Sequence, residues 1–271
     1  MSAHEYEGHY LFDSLFSNFS EIELHRIATD SAGGLQMNHL ILDLKNVEFT
    51  PCYKSIAKKT ALIGTFKKLD DYKDCIIQPT RQFKTSLIIE EHPNFLPILV
   101  ALFRKETKQS IVVKKLSSYK RKSRVKDALW EYNNILLSIY LSKYISDPKL
   151  RQDVRGALNR NEGYNQLCAT IESIGGSRNK GAENIGLHLW NECSRLLTNI
   201  ISYYNGYIFS KFMIKKEEQG KHKAVKFIKK MSTIGSQHIN LGGYLAFNTK
   251  QTFINVAEII EQLERIIGEL D

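Results

Sequence analysis

The sequence predicts an α+β fold, predominantly α, with few strands. Helix and strand patterns alternate only over the first 54 residues, and helical apolar periodicity dominates the rest of the 271. Only 5 prolines and 16 glycines are present, too few for long linkers. Four segments follow: 1–54 as part of an α/β core, 55–146 as an all-helical insertion with a basic stretch, 147–213 as two long helices, and 214–271 as a C-terminal segment with an amphipathic helix.

Leu11, Leu15, Phe16 and Phe19 recur at helical spacing, so roughly the first twenty residues read as a helix. His25 to Thr29 reads as a short strand, and Asp30-Ser31-Ala32-Gly33-Gly34 as a tight turn. A helix over about Leu35 to Leu44 and a strand over Val47 to Tyr53 complete this grammar, which is too short for a whole sheet. From Ser55 to Ser146 the pattern is helical, with one break at Pro93 and Pro97. Within it, Lys114 to Lys126 is the most basic stretch and holds no acidic residue. It reads as a loop whose Lys120, Arg121, Lys122 and Arg124 either are simply solvated or contact phosphates. The helix over about Asp127 to Tyr144 buries Leu129, Tyr132, Leu136 and Tyr140.

Asp147-Pro148 is a helix start, Asp as N-cap and Pro at the first helical position, with the helix running to about Ile171. A second long helix, about Asn184 to Met213, is rich enough in Leu, Ile and Tyr to be buried round much of its circumference. The last helix, about Thr252 to Leu270, presents Ile254, Ala257, Ile260, Leu263 and Ile267 on its apolar face.

A formal charge of +9 suits a polyanionic partner. Cys52, Cys75, Cys168 and Cys193 lack metal-ligand spacing and read as free, mostly buried thiols of a reducing compartment. The polar N-terminus is unlike a signal peptide, and the longest apolar run, Leu96 to Phe103, is too short for a bilayer. A cytoplasmic, nucleoid-associated protein with no membrane partner is expected. Gly175-Gly176 and Gly242-Gly243 lack the Lys-Ser/Thr of a phosphate loop, and no nucleophile elbow appears. Nucleotide hydrolysis and acyl transfer are therefore disfavoured.

On the helix from Asp147, Leu150, Val154, Ala157, Leu158 and Cys168 form one stripe, and Arg151, Arg155, Glu162 and Gln166 line its flank. Such a flank fits a phosphate backbone held beside a metal ion, or a charged solvent border; projection alone does not separate the two. Asp30, at a strand end beside a Gly-bearing turn, is open to two readings as well: a catalytic carboxylate or an ordinary N-cap.

Six blocks in order resemble the C-terminal region of the Tn-three family of replicative, acidic-triad (DDE-type) transposases. They are the Ala28–Gly34 turn, which is similar to the family's Thr-Asp-Thr-Ala/Gly-Gly block, with Asp13-Ser14-Leu15 ahead of it; Phe49-Thr50-Pro51; Glu131-Tyr132-Asn133-Asn134-Ile135; Leu158-Asn159-Arg160-Asn161-Glu162; and Gly235 to Leu241. The resemblance implies an incomplete RNase H-like core, with Asp30 the second and Glu162 the third catalytic, metal-binding carboxylate. It also implies Mg²⁺ or Mn²⁺, and DNA (transposon ends and target duplex) as partner; the basic residues Lys120, Arg121, Lys122, Arg124, Arg151, Arg155 and Arg160 are expected to contact it. Cys52, Asn134 and Tyr204-Asn205-Gly206 depart from the family's pattern. Its first Asp, expected on a strand upstream of Asp13, has no match here. The chain is therefore expected to be inactive alone, completed by an N-terminal transposase segment or working as a homo-oligomer. The alternative is a non-catalytic DNA-binding or regulatory remnant.

Overall fold

The computed structural model describes residues 7–17, 21–30, 37–118, 123–173, 184–237 and 255–268. The chain divides into two compact units, 1–158 and 159–271.

In the first unit a 3-10 turn (Glu7–Tyr10) leads into α1 (Leu11–Phe16). Strand β1 (Arg26–Thr29), helix α2 (Asn38–Asp43) and strand β2 (Glu48–Pro51) then form a βαβ unit. The strands are parallel, with Ile27 opposite Phe49 and Thr29 opposite Pro51. Parallel strands need a crossover, and the short α2 supplies it. Asn46, at φ 55°, ends that crossover in the left-handed conformation that Asn tolerates. Phe49 and Leu40, Ile41 and Leu42 of α2 are fully buried.

The segment expected to be an all-helical insertion departs from that description. Residues 52–84 hold only α3 (Ile56–Lys59), short 3-10 turns and a miniature parallel pair, β3 (Gly64–Thr65) with β4 (Arg81–Gln82). Two-residue strands are too short to leave a period in the sequence. Helices follow: α4 (Thr85–Phe103), α5 (Gln109–Ser118) and α6 (Arg124–Ser146). Pro93 and Pro97 lie inside α4 and do not break it. Both are exposed, so the carbonyls they leave without helical partners lie on the solvent face of the helix. By length and composition α4 could cross a membrane. Its Phe95, Leu99 and Leu102 instead pack with Leu40, Phe49 and Leu129 in the core of this unit. The basic stretch is helical at both ends, in α5 and α6, rather than one loop.

Polar side chains from other elements hold three helix starts. Asn133 of α6 accepts the Leu40 N–H of α2 (3.1 Å). Glu131, buried, accepts the Lys84 N–H at the start of α4 (2.9 Å) and pairs with Arg81 (3.0 Å). Asp13 accepts the N–H groups of Gln109 (2.8 Å) and Ser110 (3.3 Å) at the start of α5. The Gln109 carboxamide is itself buried, accepting from Phe12 N–H and donating to Asn38 and to the Gly8 carbonyl.

Helix α7 (Pro148–Glu172) begins as its sequence dictates: the Asp147 carboxylate caps the Lys149 N–H at 2.8 Å. The boundary between the units falls inside it, after Leu158. Of its expected core stripe Leu150 and Val154 are buried, whereas Ala157, Leu158 and Cys168 are half-buried. In the second unit α8 (Asn184–Glu218) packs with α9 (His222–Ile228) and α10 (Val256–Gly268) around Phe212, Ala224, Ile228 and Ile260. Lys215 and Lys216 both reach Glu264 of α10 at 2.9 Å. Three expectations change here. Helix α8 is not buried round its circumference, since Leu196, Ile200 and Tyr203 are exposed. Ala257 is exposed, so the α10 apolar face centres on Ile260 and Leu263. Cys75 and Cys193 are exposed and Cys52 and Cys168 half-buried, and none of the four is in a disulfide.

Two outcomes follow from this packing. Replacing Glu131 with Ala strips a charged acceptor from the α4 start and from Arg81, costing about 2–3 kcal/mol in urea denaturation. His39 lies against Phe49 and Tyr140, and burial lowers its pKa to about 4. The unfolded chain then takes up a proton that the folded chain refuses. Stability falls as pH drops from about 6.5 to about 4, by up to about 3 kcal/mol. His39→Phe flattens that part of the profile, which denaturation at pH 7 and pH 4.5 measures.

Candidate active site

Strand β1 ends at Thr29, and Asp30 follows it, exposed, at the C-terminal edge of the parallel pair. Ligand-binding side chains of parallel sheets gather at that edge. The ladder continues one step beyond the strands, with Cys52 N–H donating to the Thr29 carbonyl at 2.8 Å. Thr50 Oγ1 donates to the Ile27 carbonyl (3.0 Å), and Tyr140 of α6 donates its hydroxyl to the Pro51 carbonyl (2.7 Å).

A tyrosine cluster forms the floor beside this edge. Tyr140 and Tyr144 of α6 and Leu150 and Val154 of α7 pack with Ala28, Cys52 and Tyr53. The Tyr144 hydroxyl lies 3.6 Å from Cys52 Sγ. Burial raises the pKa of all three phenols, so they stay protonated. At Tyr144 the Cys52 contact adds to that rise, and the Arg155 charge opposes it. Beside Asp30 the Thr29 hydroxyl is buried with no hydrogen-bond partner among the described residues.

In the second unit Glu162 is exposed on α7, and Gln166 one turn on donates to its Oε1 at 3.2 Å. The next residue, Gly163, lies under the 231–237 segment, where an added Cβ would sit 3.0 Å from Ile234 Cδ1. Asn205 of α8 fixes the same segment by donating to the Thr233 carbonyl at 2.9 Å. Tyr164 ties α7 to α8 through Asn199 (3.0 Å). Three blocks distant in sequence, ending at Glu162, around Asn205 and leading into Gly235, thus converge in one unit. Projection of single helices could not reveal that convergence.

A model of the Tn3 transposase DDE domain matches residues 1–244. The chain belongs to the Tn3 transposase family. It is 25% identical over 244 residues to the transposase for transposon Tn1546 of Enterococcus faecium, covering 89% of this chain and 24% of that protein. It is 25% identical over 238 residues to the transposase for transposon Tn2501 of Escherichia coli, covering 86% and 23%. The transposase for transposon Tn501 of Pseudomonas aeruginosa is 22% identical over 242 residues. The chain thus spans about a quarter of the length of these relatives. No solved structure is significantly similar to it.

The residues singled out in the sequence have different surroundings. Asp30 is in the first unit and Glu162 in the second. Among the described residues no three His, Cys, Asp or Glu side chains gather as a metal site. Arg155 and Arg160 are exposed on α7. Arg151 is half-buried and donates to the Tyr144 and Ile145 carbonyls (2.6 Å each) at the end of α6. Arg124 is exposed but paired with Glu90 and Glu91. Lys120, Arg121 and Lys122 lie outside the described residues, as do the Gly33-Gly34 turn and His238 to Leu241. Glu131, part of a Tn3-like block, serves packing. The Thr29 hydroxyl and the Cys52–Tyr144 contact were not visible in the sequence, although both Thr29 and Cys52 lie in blocks that resemble the family.

Because the Thr29 hydroxyl is buried without a partner, Thr29→Val leaves stability unchanged or raises it by about 1 kcal/mol in urea denaturation. A loss above about 2 kcal/mol contradicts that account of the hydroxyl.

Proposed function

We propose that this chain carries the second and third carboxylates, Asp30 and Glu162, of a metal-dependent centre for DNA phosphodiester cleavage and strand transfer, built on an RNase H-like core. The observation that carries the reading is the position of Asp30 at the open C-terminal edge of a parallel β-pair, inside a match to the Tn3 transposase DDE domain. The donor chemistry fits Mg²⁺ or Mn²⁺. These ions take few carboxylates and keep water and phosphate oxygens, and both side chains are exposed oxygen donors.

Asp30 and Glu162 would hold the ions. Divalent ions bound there supply activation of water, and then of a DNA 3′-hydroxyl, for in-line attack, together with charge stabilisation of the entering and leaving oxygens. The chain's own residues do the rest. Gln166 orients the Glu162 carboxylate through its amide. Arg155 and Arg160 contact the DNA backbone; Arg151, with two carbonyls to hold, positions α7 against the end of α6. A further carboxylate, the remaining member of the family's acidic triad, would complete the ion set.

The test uses the purified chain with a DNA duplex carrying transposon ends. Mn²⁺ binds weakly in calorimetry, and Asp30→Ala or Glu162→Ala each lowers that affinity at least about tenfold, the usual scale for losing a ligand's support. No nicking is seen until a segment bearing the remaining Asp is added. Metal affinity indifferent to both substitutions, beside intact salt-dependent DNA binding, would instead establish a non-catalytic DNA-binding protein.

A further inference from the structure

Helix α8 packs into its unit by one face, where Ser194, Thr198, Ile208 and Phe212 are buried. The opposite face is apolar and, among the described residues, exposed. From Leu189 its residues recur in alternating steps of four and three: Leu189, Cys193, Leu196, Ile200, Tyr203, Tyr207, Ser210 and Ile214. All are exposed, the large ones from 42% at Tyr207 to 77% at Tyr203. This is the 3.5-residue period of a coiled-coil seam, sustained over about 38 Å of helix. Single exposed hydrophobic residues are ordinary, but a continuous stripe is a contact surface.

We infer that this seam pairs antiparallel with the same seam of a second copy of this chain. Side-chain size fixes both the occupant and the direction. In a parallel pair each position meets itself, so Tyr203 and Tyr207 make two consecutive double-aromatic layers beside an underfilled Ser210 layer. Reversed about a two-fold axis between Ile201 and Ser202, the seam fits itself. Leu189 then meets Ile214, Cys193 meets Ser210, Leu196 meets Tyr207 and Ile200 meets Tyr203, and the two-fold repeats each layer. Aromatic meets aliphatic and small meets small at every level. The contact is isologous and therefore closes at two copies. The seam carries no charge, and the flanking Lys211 falls beside Trp190 of the second copy, a favourable cation–aromatic pair.

Sedimentation of the full chain at tens of micromolar tests this. The mass expected is twice 31.2 kDa. Leu196→Glu with Ile200→Glu, both at exposed positions, gives a monomer with an unchanged helical circular-dichroism spectrum, whose melting no longer depends on protein concentration. In a Cys75→Ser background, Ser210→Cys yields a covalent dimer with diamide as oxidant, through Cys193 of one copy and position 210 of the other; without Ser210→Cys no bridge forms. A monomeric native chain, or one whose Cys193 resists thiol reagents because its own residues cover the seam, overturns the proposal. So does a Cys193–Cys193 bridge, which requires parallel helices, or a dimer that survives the double substitution.

Discussion

The first unit depends on one constraint: its backbone groups must find partners although, among the described residues, the β1–β2 sheet is two strands wide. A two-stranded sheet is marginal by itself. Here α6 supplies what further strands would. Tyr140 satisfies the Pro51 carbonyl, Asn133 the start of α2, and Glu131 the start of α4. Asp13 and Gln109 do the same between α1, α2 and α5. The pair β1–β2 is thereby fixed in register, and Asp30 is presented at its edge.

This constraint explains which charged and polar residues are available for function. In this fold two residues whose types suggested DNA contact are engaged by groups of the chain itself. Arg151 holds the last carbonyls of α6, and Arg124 is clamped by two glutamates. Arg155 and Arg160 remain exposed on α7. The tyrosine cluster under the strand ends is apolar enough to keep its phenols protonated, so it offers hydrogen-bond donors and no negative charge that would compete with a carboxylate for a cation.

Much of this was legible in the sequence, for identifiable reasons. Asp147-Pro148 is a local signal, and it caps α7 as read. The alternation of elements up to Pro51 is also local, and the structure keeps it with ends shifted by a few residues. What was not legible depends on partners. Strands β3 and β4 exist only by pairing with each other, so residues 52–84 carried no periodicity to read. Pro93 and Pro97 looked like a break because sequence does not show that their side of α4 faces water. Leu196, Ile200 and Tyr203 looked buried because apolar residues distributed round a helix do not reveal which side lacks a neighbour. The contact of Asn205 with Thr233, and of Gly163 with Ile234, joins blocks that only folding brings together.

On the proposal above, the Asp30 and Glu162 carboxylates, 132 positions apart, would serve the same hydrated cation. Iron-directed backbone cleavage measures this directly: Fe²⁺ replaces Mg²⁺, and ascorbate with peroxide generates hydroxyl radicals that cut the chain near the bound ion. The account predicts cuts next to both residues, suppressed together by excess Mg²⁺ and abolished together by Asp30→Ala or by Glu162→Ala. Cleavage near one residue that persists when the other carboxylate is removed would contradict it.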